Sequence, residues 1–275
     1  MLADLFYFGQ VQFLVGLNTM HKISAVIITF NEERNISRCL DSLQGIVDEI
    51  VVVDSYSSDR TQELVEKSGA RFIQHTFEGH IEQKNYALSQ ASHDWVLSLD
   101  ADEALSDQLK DAIRQVKTSI NHDGYTMNRL SNYCGHWIHH GSWYPDTKLR
   151  LFNRTKIRWT GVNPHDKASP ITNASVSHLK GDLLHYTYYT IEEHVRKLDY
   201  FSSIAAKAYF QKKKPAHLWD LWVRPGFAFF RDFILRCGFL DGYYGWVIAR
   251  FTAHYTFQKY VKLRFLYEEA NKKAH

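Results

Sequence analysis

From residue 22 to residue 105, short unbroken apolar runs alternate with stretches in which apolar residues recur every three or four positions. "KISAVIITF" (22–30), "EIVVVDS" (49–55), "RFIQHT" (71–76) and "DWVLSLD" (94–100) are short and mostly β-branched or aromatic, and read as strands. Between them, "NEERNISRCLDSL" sets Ile36, Leu40 and Leu43 at helical spacing. "SDRTQELVEKSG" has a helix start at Ser58 or Asp59 and a stop at Gly69, and "HIEQKNYALSQA" reads as a helix before the fourth strand. Strands alternating with helices predict an α/β fold: a mixed, mainly parallel sheet with helices on both faces.

Beyond Ser106 the pattern predicts a short helix, then strands at "GYTMNRLSNY" and "KLRLFNR". "RWTGVNPHDK" (158–167) reads as a loop and "VSHLKGDLLHYTY" as a hairpin-like pair. From Ile191 onward the chain reads as helical, with Lys212, Lys213 and Lys214 ahead of Pro215.

In such sheets, ligands bind beyond the carboxyl ends of the strands. Three strands end in polar residues: Thr29-Phe30-Asn31-Glu32, Asp54-Ser55 and Asp100-Ala101-Asp102. The fold should bring these remote segments to one edge. Asp100, Asp102 and Glu103 crowd like charge at one strand tip, so a positive partner or a proton is expected there. Two carboxylates flanking a small residue suit Mg²⁺ or Mn²⁺, ions that commonly bridge to substrate phosphates. The alternative is that these acids cap the helix starting near Ser106.

Composition narrows the picture. With 275 residues, 45% hydrophobic and 23% charged, the chain is globular. Thirty-three Lys and Arg against 30 Asp and Glu give a formal charge of +3, too mild to suggest nucleic acid. Cys39, Cys134 and Cys237 are scattered, which argues against a disulfide framework and fits a reducing compartment. His136, His139 and His140 lack the cysteine or second spaced pair that zinc would need. Residues 1–20 read as an N-terminal extension, apolar but without a basic n-region or a clear cleavage site.

"TFNEERNI", "VVVDSYSSDRT", "QKNYAL" and "LSLDADE", in this order and spacing, resemble the family 2 glycosyltransferases of the GT-A fold. The resemblance covers roughly residues 22–190. "WYPDTKLRLFNR", "GVNPHDK" and "LLHYTYYTIEEH" further resemble the bacterial branch that builds lipopolysaccharide core, the WaaE-like beta-glucosyltransferases. It implies a catalytic domain over 21–190, with a nucleotide-sugar half (21–105), an acceptor half (106–190) and a helical region over 191–275.

Roles follow from the resemblance, position by position. Asp54 would accept a hydrogen bond from the nucleotide base, usually uracil, while Thr29, Asn31 and Glu32 line the nucleotide pocket. Asp100 would sit by the ribose, Lys84 near the phosphates, and Asp102 on the metal that grips the diphosphate. His185 is a candidate second metal ligand. Inverting transfer needs a base for the acceptor hydroxyl, and Asp166 is the candidate, standing where relatives often carry Glu after His165. Trp143, Tyr144 and Asp146, with His165, are placed on the acceptor side, since aromatics pack on sugar faces; a surface loop with its own small core is the alternative.

Residues 224–251 interleave Phe227, Phe229, Phe230, Phe233, Phe239, Tyr243, Tyr244 and Trp246 with Arg231, Arg236 and Arg250. Such helices suit a bilayer headgroup region, or else pack on the catalytic domain or another subunit. The combined expectation is an inverting hexosyltransferase on the cytoplasmic face of the inner membrane. It would move a hexose such as glucose from a UDP-sugar to a lipid-linked saccharide. A nucleotidyltransferase is disfavoured because "TFNEERNI" has no glycine for a phosphate loop. Two rivals stay open: a polyprenyl-phosphate sugar transferase, and a membrane-bound binding protein with a degenerate transferase domain.

Overall fold

The computed structural model describes residues 20–163, 165–171 and 173–274. Of the extension expected at 1–20, residues 1–19 lie outside them. The first four strands, β1 (Ile23–Thr29), β2 (Glu49–Asp54), β3 (Arg71–Gln74) and β4 (Trp95–Asp100), form a parallel block in the order β3-β2-β1-β4. Three helices connect them: α1 (Ile36–Leu43), α2 (Thr61–Lys67) and α3 (His80–Gln90). The β-branched runs sort by parity, as the two-residue repeat of a strand requires. Ala25, Ile27, Val52, Leu97 and Leu99 face the core shared with α1 and α4 (Asp107–Thr118). Val26, Val51, Val53 and Val96 face the opposite core, against α3. Both faces of the block are therefore covered, and the edge strand β3 is only partly buried.

The sheet continues through β8 (Asp146–Asn153), β6 (Gly124–Tyr133), β11 (Val176–Tyr188) and β5 (Glu103–Leu105), with β7 (His136–Ile138) beside β6. Pairing in this half is mixed: β4–β8, β8–β6 and β11–β5 are antiparallel, whereas β6–β11 is parallel.

Three expectations change. The helical reading of 31–43 is too long, because α1 begins only at Ile36. Asn31 takes a left-handed backbone (φ 53°), and its side chain bonds the turn after β2, so residues 31–35 form a turn instead. The loop expected at 158–167 is a hairpin of β9 (Ile157–Val162) and β10 (His165–Pro170). The hairpin-like pair expected at 176–188 is one strand, β11. Gly181 marks a bulge there rather than a turn: its φ is +98°, and a Cβ would lie 2.4 Å from the Leu109 backbone nitrogen of α4.

The C-terminal region is helical. It comprises α5 (Ile191–Gln211), α6 (Asp220–Phe230), a π turn (Arg231–Leu235) and α7 (Gly242–Ala274). Helix α7 packs on α5 and α6. It meets the sheet where Tyr133 and Ile138 bury against Val247 and Ile248. Within this junction the His194 ring stacks on Tyr188 and its Nδ1 lies 3.0 Å from the Tyr133 hydroxyl. Among the described residues, no helix is long and apolar enough to cross a membrane.

Candidate active site

Register places the polar strand ends together. Thr29 pairs with Asp54, and Ile28 with Asp100, so the tips of β2, β1 and β4 are neighbours. Asp54 is fully buried, and both its carboxylate oxygens accept bonds from Ser57, from the amide and from the hydroxyl. It therefore builds the turn instead of standing open to a ligand. The Asn31 amide donates to Ser57 Oγ (2.7 Å), Ser58 N donates to Asn31 Oδ1 (2.8 Å), and Glu32 N donates to Thr61 Oγ1 (2.8 Å). Two turns far apart in sequence are thus stapled into one rigid rim. Under it, Thr29 Oγ1 is buried with no hydrogen-bond partner among the described residues.

The carboxylates of β4 find protein cations. Arg150 Nη2 lies 2.9 Å from Asp100 Oδ2 and 2.6 Å from Glu103 Oε1, and Arg129 approaches Glu103 at 3.5 Å. Lys84 Nζ lies 3.0 Å from Asp100 and 2.8 Å from Asp166, above the Trp159 ring at 4.3 Å. Burial would raise the Asp100 carboxyl, but Lys84 and Arg150 outweigh it and hold the group well below the usual carboxylate range. The charge excess at this tip is thus partly answered from within the protein. Lys84, expected at the phosphates, is nearly buried between two carboxylates.

Asp102 is turned the other way. Its Oδ2 lies 3.3 Å from His185 Nε2, while Thr187 Oγ1 holds His185 Nδ1 at 2.8 Å. Burial opposes ionisation of Asp102, yet His185 brings its carboxyl below the ordinary range. Nearby, burial pushes Glu32 up to about 7; the Asn35 amide opposes this and Asp102 adds to it. Asp102 and His185 offer one oxygen and one nitrogen donor, and no set of three His, Cys, Asp or Glu ligands closes around a point among the described residues. An open pair of this kind fits Mg²⁺ or Mn²⁺, which keeps positions for phosphate and water.

On the acceptor side, the expected residues do not all converge. Trp143 packs edge-on against Tyr133 and beside Tyr188, inside the junction core. Asp146 is committed to Arg129 (2.7 Å) and Lys148 (2.9 Å). Tyr144 donates to Asp182 Oδ1 at 3.0 Å. The small core of a folded loop accounts for Trp143 and Tyr144 better than an open sugar platform does. The side chain of His165 lies outside the described residues.

Residues 24–178 match the family described as "Glycosyl transferase family 2". The chain belongs to that family. It is similar to an uncharacterised glycosyltransferase of Rickettsia felis, 34% identical over 89% of this chain and 90% of that one. It is also similar to the lipopolysaccharide core biosynthesis glycosyltransferase LpsC of Rhizobium meliloti, 29% identical over 86% and 93% of the two chains. Among solved structures, TarS of S. aureus is 21% identical with a TM-score of 0.45, over 67% of this chain and 39% of TarS. This family 2 glycosyltransferase has, in its own strand order, the α/β architecture that its alternating pattern predicts.

Sequence reasoning missed Arg150 and Arg129. A signal existed for the first: in "KLRLFNR", Arg150 sits directly before two buried apolar residues, Leu151 and Phe152, and is itself buried. A charge embedded in a buried run implies a buried partner. Nothing local marked Ser57 or Tyr189, whose partners lie elsewhere in the chain. Tyr189 bonds Asn35 and accepts from Arg38 (3.2 Å), closing the rim beside Glu32.

Proposed function

We propose that this transferase moves a hexose, glucose being our choice, from a UDP-sugar to a lipid-linked saccharide of the cell envelope, with inversion at the anomeric carbon. The observation that carries the reading is the division of labour at the β4 tip. Asp100 and Glu103 are neutralised by Lys84 and Arg150, while Asp102 faces His185. The nucleotide would lie over the rim made by Thr29, Asn31, Glu32 and the Asp54–Ser57 turn. Asp102 and His185 would hold Mg²⁺ or Mn²⁺, which offsets negative charge on the departing diphosphate. Asp166 would take the proton of the acceptor hydroxyl as its oxygen bonds to the anomeric carbon and the bond to the diphosphate breaks. Lys84, 2.8 Å away, fixes the position of that carboxylate.

The similarity to LpsC supports a lipopolysaccharide-type acceptor. We place it at the cytoplasmic face; a peripheral site on an anionic bilayer is supported by α6 and its N-cap, where Trp219, Trp222, Val223, Phe227 and Phe230 form one exposed stripe at helical spacing. The test is transfer from UDP-glucose to core glycolipid in vesicles with Mn²⁺. Asp166→Asn should lower the rate by about 100- to 10,000-fold and leave UDP-dependent thermal stabilisation in place. A nearly unchanged rate would overturn the base assignment and favour an acceptor already ionised, such as a polyprenyl phosphate.

A further inference from the structure

Between residues 211 and 250 the chain carries seven cationic side chains, Lys212, Lys213, Lys214, Arg224, Arg231, Arg236 and Arg250, and three acids, Asp220, Asp232 and Asp241. All three acids are turned inward, with side chains 1%, 2% and 7% exposed. The outer surface of this segment is therefore apolar and cationic without an exposed acid, which suits an anionic phospholipid surface. Two of the inward acids do something specific. Asp241 accepts from the amides of His139 (3.2 Å) and His140 (2.8 Å) and meets His140 Nδ1 at 3.0 Å. Asp232 accepts from Ser142 Oγ at 2.8 Å, and between these contacts Gly141 N donates to the Arg236 carbonyl at 3.0 Å.

Each of the two acids sits between exposed apolar residues. Phe230 and Ile234 flank Asp232, and Leu240 and Tyr243 flank Asp241. The loop they hold leaves β7 directly after Ile138, which is paired with Ser131, and Ser131 is in register with His185. A continuous set of bonds and ladders thus runs from the apolar surface to the candidate metal ligand.

We propose that Asp232 and Asp241 latch the loop 139–142 to the bilayer-facing helices, so that docking on an anionic membrane sets the position of this loop beside the active-site edge. The proposal rests on the membrane reading above, and Asp232 and Asp241 are positioning residues that touch no substrate. The test is hydrogen exchange of the full chain with and without vesicles of phosphatidylethanolamine and phosphatidylglycerol. Wild type should gain protection over 219–246 and also at the amides of 139–142. Asp241→Asn, and the milder loop-side variants His140→Ala and Ser142→Ala, should keep the first gain and lose most of the second. Protection over 219–246 without any change at 139–142 in wild type would overturn the latch alone, as would loop protection that survives in all three variants. No vesicle-dependent protection anywhere would overturn the membrane reading, and the latch with it.

Discussion

The strand-tip edge and the C-terminal helices solve opposite electrostatic problems. At the edge, acids gather on one strand tip and cations arrive from distant elements: Lys84 from α3, Arg129 from β6 and Arg150 from β8. Between residues 211 and 250 the cations stay near solvent and the acids are the buried partners, on backbone amides, a serine and arginines. The first arrangement leaves one carboxylate, Asp102, facing a histidine where phosphate chemistry would need a cation. The second leaves a surface that is apolar and basic. Buried charge is thus used at the edge to organise a site, and in the helices to fix one layer to another.

That contrast can be broken at its strongest point first. Replacing Arg150 by Met leaves Glu103 fully buried, with the Asp100 amide and the longer contact to Arg129 but no close cation. The expected loss is about 3–5 kcal/mol of unfolding free energy, read by urea titration; a neutral outcome would mean the edge is not held by this pair. The helical side should respond to acid instead. His194 is pushed down to about 4 by burial, against an ordinary value of 6.5. Its unfolded form therefore binds the extra proton between those values, so the stabilisation is complete above about pH 6.5 and is lost as pH falls toward 4, by up to about 3 kcal/mol. His194→Gln should flatten that part of the stability–pH curve. The smallest effect belongs to the surface: Trp222 and Phe227 are 79% and 57% exposed, and changing both to Glu should weaken binding to anionic vesicles at least about tenfold while leaving unfolding unchanged.

Much of the parallel half was legible in the sequence, because a buried strand between amphipathic helices has a strong periodic signature. Strand ends at Thr29, Asp54 and Asp100 could be matched from topology alone. The mixed half of the sheet was harder. Gly181 and the glycine, asparagine and proline of "TGVNP" look like turns, and local chemistry does not tell a bulge, a hairpin tip and a loop apart. The partners of Asp100 and Asp54 were harder still: Arg150 lies fifty positions from Asp100, and Ser57 takes up Asp54 through a turn no periodicity marks. Charge at the strand tip announced that a cation was needed, but not that Lys84 and Arg150 would supply much of it.

The central claim is that Asp102, left facing His185, grips a divalent ion on a nucleotide diphosphate. Calorimetric titration of the full chain with UDP, in Mn²⁺ and in EDTA, tests it directly. We expect binding at least about tenfold tighter with Mn²⁺, and loss of that difference in Asp102→Asn. Equal affinity in both buffers, or an undiminished Mn²⁺ effect in the variant, would contradict it.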